Sequence, residues 1–276
     1  MNAGLRSRVV TASTLAPIIL ALVWFANVPV LTVFFGGVSL VGAYEWLRLC
    51  GVTEPLAKVA FYITLVLIAA VVIVYPQLAP WFLSFIVLYW LVLAYRTLLY
   101  WRADRPVWPL GKLVTGLLIL SGGWVAAVWH KVLLDGAPYL LVSLLLIIWA
   151  ADTGAYFAGK RFGKHKLSPR ISPGKTVEGM LGGILGALLV SVVTGVFWLH
   201  LGGFKLFAWL CLVALVVVFS VIGDLVESTA KREAGMKDSG NLLPGHGGML
   251  DRIDSLTAAA PMLAVGWMTL SVLWKL

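Results

Sequence analysis

Lys205–Val226, KLFAWLCLVALVVVFSVIGDLV, decides the fold. Apart from Lys205 at one edge and Asp224 near the other it carries no charge. A bilayer core of about 30 Å takes about 20 apolar residues of helix. A barrel strand would be shorter and would alternate between apolar and polar residues. The stretch therefore reads as one transmembrane helix.

Eight further stretches read the same way, at roughly 8–27, 29–48, 57–75, 79–99, 112–130, 137–158, 178–200 and 256–275. The whole 276-residue chain agrees with them, being 61% hydrophobic and only 12% charged. A soluble domain carries roughly 25% charged residues and could not hide so much apolar surface. The expected fold is an all-α polytopic membrane protein of about nine transmembrane helices. The run after Arg6 and Arg8 is long for a signal peptide and has no clear cleavage site, so it is expected to be a retained first span. Cys50 and Cys211 form no disulfide framework or metal pair and read as buried or lipid-facing thiols.

Charge sets the orientation. With the N-terminus inside, nine spans place 18 of the 21 Lys and Arg residues on the cytoplasmic side. The outer side holds only Lys131, Lys205 and Lys275. This partition follows the positive-inside rule and puts the C-terminus outside. The net charge of +9 suits an anionic substrate and an anionic membrane face, and no nucleic-acid partner is expected.

Two regions differ in character. Residues 1–135 read as N-terminal transmembrane helices forming a membrane scaffold. Trp46, Trp90, Tyr95, Tyr100 and Trp101 read as its interfacial anchors. Residues 136–276 read as a C-terminal transmembrane catalytic region, with polar cytoplasmic segments at 159–177 and 228–254.

Asp152 and Asp224 sit near the ends of apolar spans, where a carboxylate is costly and by default marks a functional site or a buried pair. On a helix Asp224 shares a face with Ser228, and Glu227 with Lys231. Beyond them, Lys231, Arg232, Lys237 and Arg252 are interleaved with Glu233, Asp238, Asp251 and Asp254. Pro244-Gly245 and Gly247-Gly248 bracket His246, breaking any helix and letting backbone approach a ligand closely. His246 is expected to donate to a phosphate or to position the loop. Carboxylates suit Mg²⁺, Lys and Arg neutralise phosphate oxygens, and glycine turns present N–H groups to anions. Together they point to phosphoryl or nucleotidyl transfer with a metal. The segment from Gly159 to Gly179 is basic, and Lys160 and Lys175 could grip a triphosphate or an anionic lipid head. Thr176 or the residues just before it could cap the following span, with Glu178 in its first turn. Gly174-Lys175-Thr176 resembles the end of a Walker A motif, but Pro169 stands where its first glycine belongs and no strand precedes it.

The run Ser228-x-x-Lys231-Arg232-x4-Lys237-Asp238-x5-Pro244-Gly245-His246-Gly247-Gly248-x-x-Asp251-Arg252-x-Asp254 resembles the signature of phosphatidate cytidylyltransferases, the CDP-diacylglycerol synthases, without departure. Asp152–Phe157 through Ser172–Gly179 is similar to that family's second polar region. The resemblance is specific over about 152–256. It implies transfer of a cytidylyl group from CTP to phosphatidate, giving CDP-diacylglycerol and pyrophosphate. It also implies a homodimer in the cell inner membrane, with its site facing the cytoplasm. It implies Mg²⁺ (magnesium), with or without a second cation, and carries the metal ligands over to Asp224 and Asp251. It makes Asp224, Ser228, Lys231, Arg232, Lys237, Asp238, His246, Asp251, Arg252 and Asp254 the candidate catalytic residues. Lys160, Lys175, Asp152, Gly247 and Gly248 are candidates for binding substrate.

A CTP-dependent lipid kinase of the dolichol or phytol type would share the topology and is the alternative. The complete PGHGGxxDRxD ending favours the cytidylyltransferase. A CDP-alcohol phosphotransferase lacks support because its DGxxAR arrangement is missing. A transporter would spread polar residues through the membrane and often repeat its halves.

Overall fold

The computed structural model describes residues 3–103, 107–242 and 247–274. Among the described residues there are nine α-helices. They are α1 (Ala3–Phe25), α2 (Val28–Leu49), α3 (Pro55–Val74), α4 (Ala79–Ala103), α5 (Lys112–Val132), α6 (Tyr139–Phe162), α7 (Val177–Phe197), α8 (Gly203–Glu233) and α9 (Leu250–Trp274). Eight of them, α2 to α9, are long and apolar enough to cross a membrane, while α1 contributes the shorter apolar stretch Ser13–Phe25. A small antiparallel hairpin, β1 (Lys166–Ser168) and β2 (Ser172–Thr176), joins α6 to α7.

Local chemistry starts the helices where the sequence places them. Asn27 caps α2, its side chain accepting from Val30 N at 3.0 Å, and Pro55 opens α3. Thr176 caps α7 by accepting from Gly179 N at 3.0 Å, as its position before the span predicts.

The helix ends near the polar segments differ from expectation. α8 continues through Ser228, Lys231 and Arg232 to Glu233, and α9 begins at Leu250. Ser228, Lys231, Arg232, Asp251, Arg252 and Asp254 are therefore helical, and only positions 234–249 separate the two helices. The polar residues do not break α8, because they pair within it four residues apart: Ser228 with Asp224, and Lys231 with Glu227. Gly235 ends it, with φ at +69°, while Met236 N bonds back to Lys231 O at 2.8 Å and Gly235 N to Arg232 O at 3.0 Å.

Trp46 and Trp90 are not interfacial anchors. Both are fully buried. Their indole N–H groups donate to Lys112 O at 3.0 Å and Thr257 O at 3.1 Å. A buried indole needs such a partner, and here the backbone supplies it. Tyr95 stays exposed and Tyr100 half-buried, and the side chain of Trp101 lies outside the described residues.

α6 runs along α7 and α8 along α9, while α9 also packs on α4 and α5. The α6–α7 approach is very close: a Cβ on Gly154 would meet the Gly182 carbonyl, so only small residues fit there. Four connections gather at one end of the bundle. Trp46 ties the end of α2 to the start of α5, and Lys112 pairs with Glu233 at the end of α8 at 2.7 Å. Arg232 Nε donates to Ile171 O of the hairpin at 3.3 Å. At the other end the buried Lys131 donates to the Val23, Trp24 and Ala26 carbonyls, which the end of α1 leaves unpaired.

Candidate active site

A cavity of about 430 Å³ opens between α6, α7, α8 and the hairpin. Asp152 and Lys160 reach it from α6, Lys175 from β2, and Asp224 from α8. Leu167, Met180, Val217 and Val221 give it an apolar side. The 159–177 segment and Asp224 of α8, far apart in the sequence, thus meet at one place. The link is direct: Lys175 Nζ lies 2.5 Å from Asp224 Oδ2. Ser228 Oγ donates to the other oxygen, Oδ1, at 3.0 Å.

One turn further along α8 lies a second, more buried cluster. Lys231 Nζ stands 2.6 Å from Glu227 Oε2 and 2.5 Å from Asp251 Oδ1, joining α8 to α9. The other oxygen of Asp251, Oδ2, accepts from Ser239 N at 2.9 Å, Ser239 Oγ at 3.0 Å and Gly248 N at 2.8 Å. Glu227 Oε1 is buried and has no hydrogen-bond partner among the described residues. Asp254 lies half-buried on α9, close enough to Asp224 and Glu227 for the three charges to act on one another.

These observations sort the expected residues. Asp152, Lys160, Lys175 and Asp224 line the cavity, and Ser228 supports Asp224. Lys231, Asp251 and Asp254 belong to the adjoining cluster. Arg232 is spent on the hairpin and on Met236 O, at 3.2 Å. Lys237, Asp238 and Arg252 are exposed and do not line the cavity. The Gly248 N–H, expected to meet substrate, is taken by Asp251. Gly247 takes φ of +80°, a conformation that favours glycine. His246 lies outside the described residues.

The residues fit a hard cation by their chemistry. Asp224, Glu227 and Asp254 bring carboxylates together, one with a buried oxygen lacking a donor. As they stand, no three such groups among the described residues converge on a common point to hold a metal. The ammonium groups of Lys175 and Lys231 occupy the positions on the carboxylates that a cation would contest. Asp251, with four donors on its two oxygens, is the more fully committed of the two expected ligands.

Glu45 escaped the sequence reading. It is a buried carboxylate of α2, inside the region expected to be scaffold. It accepts from Ser239 Oγ at 2.7 Å, Met249 N at 2.9 Å and Leu250 N at 2.8 Å. The available signal was the one that singled out Asp152: a lone acid in an apolar span, here AYEWLRL. Glu233 was missed as a contact too, and it takes both Lys112 and the Trp108 indole at 2.7 Å.

Known proteins match this chain along nearly all its length. The phosphatidate cytidylyltransferase of Pseudomonas aeruginosa is 41% identical, over 95% of this chain and 98% of its own. That of Haemophilus influenzae is 33% identical, over 94% of this chain and 97% of its own. That of Staphylococcus haemolyticus is 47% identical over 48% of this chain and 49% of its own. The pattern of the cytidylyltransferase family matches residues 6–270. A membrane bundle with lysines and carboxylates converging on one cavity, and these matches across it, lead to one conclusion: the chain belongs to the cytidylyltransferase family.

Proposed function

We propose that this protein transfers the cytidylyl group of CTP to phosphatidate, forming CDP-diacylglycerol and pyrophosphate, as a step of phospholipid biosynthesis. The observation that carries the reading is the composition of the cavity. Lys160, Lys175, Asp152 and Asp224 line a space with an apolar side of Leu167, Met180, Val217 and Val221. A phosphate on a lipid needs both kinds of wall. The near full-length likeness to phosphatidate cytidylyltransferases supports the same substrates.

In this reaction a phosphate oxygen of phosphatidate attacks the α-phosphorus of CTP. A P–O bond forms there as the bond to the β-phosphate bridge breaks, and pyrophosphate leaves with the electron pair. No protein nucleophile is required, so the side chains act by position and charge. Lys175, held at the cavity wall by Asp224, stabilises charge on the phosphates. Lys160 extends the same positive wall. Ser228 fixes the Asp224 carboxylate, and Lys231 keeps the Glu227 and Asp251 charges compensated beside it.

Mg²⁺ is the cofactor this reading calls for, and it would neutralise phosphate oxygens as a Lewis acid. Asp224 is the first candidate to hold it, with Glu227 and Asp254 beside it. Asp251 joins them only if Lys231 yields its place. The proposal extends to nine spans, an N-terminus in the cytoplasm, a C-terminus outside, and the inner membrane of the cell. It rests there on the Lys and Arg partition. A homodimer is proposed on the family resemblance.

The test is label transfer. Purified protein in detergent receives CTP labelled on the α-phosphate, phosphatidate and Mg²⁺. Label in the lipid with release of pyrophosphate is expected. Label only in CDP, with a γ-phosphoryl group moved to a lipid alcohol, would instead identify a kinase.

A further inference from the structure

We infer that Glu45 is a positioning residue for the transfer site, acting through Ser239 and the first turn of α9. The inference rests on the cytidylyl-transfer reading and assigns that site a residue outside its signature region.

Glu45 is 3% exposed, and its charge is met by three donors instead of a cation. Burying a carboxylate costs several kcal/mol unless such donors are supplied, as they are here. The donors lie on either side of residues 240–248 in the sequence, Ser239 before them and Met249 and Leu250 after them. An ordinary helix cap comes from the residue just before the helix. The α9 cap comes instead from α2, and its negative charge suits the positive end of the α9 dipole. Glu45 thereby ties residues on either side of the glycine-rich stretch to a single point on α2.

The pinning continues into the site. Ser239 bonds Asp251 Oδ2 through both its backbone N–H and its hydroxyl. That hydroxyl has one proton and two carboxylates in reach, Glu45 Oε2 at 2.7 Å and Asp251 Oδ2 at 3.0 Å. The two acids are thus coupled through it. Turning Asp251 away would break both of its bonds to Ser239, and displacing the Ser239 hydroxyl would break its bond to Glu45. Asp251 in turn holds Lys231, which holds Glu227. Glu45 lines no part of the cavity, yet it determines where these three side chains stand. Two glycines support the same arrangement, because a Cβ on Gly240 or Gly248 would meet the Glu45 carboxylate.

The test compares Glu45→Gln, Ser239→Ala and the double variant in the full-length protein, by label transfer from CTP to phosphatidate. Gln keeps the volume but turns an NH₂ group toward one of the donors. A fall in kcat of about tenfold or more is expected for Glu45→Gln. The KM for CTP should stay within about twofold, since the cavity lysines are untouched. In the Ser239→Ala background the same change should cost much less, because the path through the hydroxyl is gone. Wild-type kcat in folded Glu45→Gln, or fold-changes that simply multiply in the double variant, overturns the inference. Should Glu45→Gln not fold, Ser239→Ala decides alone, and a wild-type kcat there overturns it. A wild type that transfers no label removes the reaction itself, and this role with it.

Discussion

Lys175 on the hairpin and Asp224 on α8 meet at 2.5 Å, and this contact joins the hairpin to α8 at the cavity wall. It makes one site of two stretches that lie 49 positions apart in the chain. Lys175→Ala should lower kcat/KM for CTP by about 100-fold, the scale of losing a charge-stabilising donor. Lys160→Ala should cost only about tenfold, because among the described residues Lys160 has no ion pair to aim it into the cavity. Steady-state kinetics of label transfer check both, and equal losses would remove the special place given to Lys175.

Lys231 compensates two buried carboxylates at once. Lys231→Met leaves Glu227 and Asp251 facing each other without it, at a cost of about 3–5 kcal/mol. Adding Glu227→Gln removes one of the stranded charges and should recover part of the loss. Thermal unfolding of the detergent-solubilised variants measures this, and a Lys231→Met protein as stable as wild type would contradict it.

The length and continuity of the apolar runs made the helices legible, because a bilayer leaves few alternatives for such a run. The pairings within α8, Asp224 with Ser228 and Glu227 with Lys231, were legible for a similar local reason. What was not legible is long-range. Polarity from Ser228 to Glu233 looked like the end of a helix, but its charges are satisfied four residues away along the same helix. Trp46 and Trp90 looked like interfacial anchors until the carbonyls that receive their indole groups were seen. Glu45 could be noticed as an acid in an apolar span, yet nothing near it in sequence names Ser239 or Leu250 as its partners.

Gly248 shows how little space the Glu45 clamp leaves. A Cβ there would meet the Ser239 hydroxyl and both Glu45 oxygens. Gly248→Ala should therefore displace the start of α9 and abolish turnover. Gly37→Ala, where a Cβ meets nothing within 4 Å, should leave turnover unchanged. Side-by-side assays of the two variants check this, and an active Gly248→Ala protein would contradict the packing described.

Cys50, just past α2, is pushed up to about 11 by burial, with the nearby Lys112 acting in the opposite direction. A raised thiol pKa leaves little reactive thiolate, about one part in a thousand at pH 8. Alkylation of Cys50 by iodoacetamide should be slow at pH 8 and accelerate as the pH rises toward 11. Peptide mass spectrometry over that range reads the effect, and rapid complete labelling at pH 8 would show the turn to be open.

In the proposed function, cytidylyl transfer takes place at the cavity wall that Asp224 helps to form. The most direct measurement is label transfer from α-labelled CTP to phosphatidate by purified Asp224→Asn protein, beside wild type. Labelled lipid is expected from wild type and none above background from a folded Asp224→Asn. Labelled lipid from Asp224→Asn at the wild-type rate would contradict it.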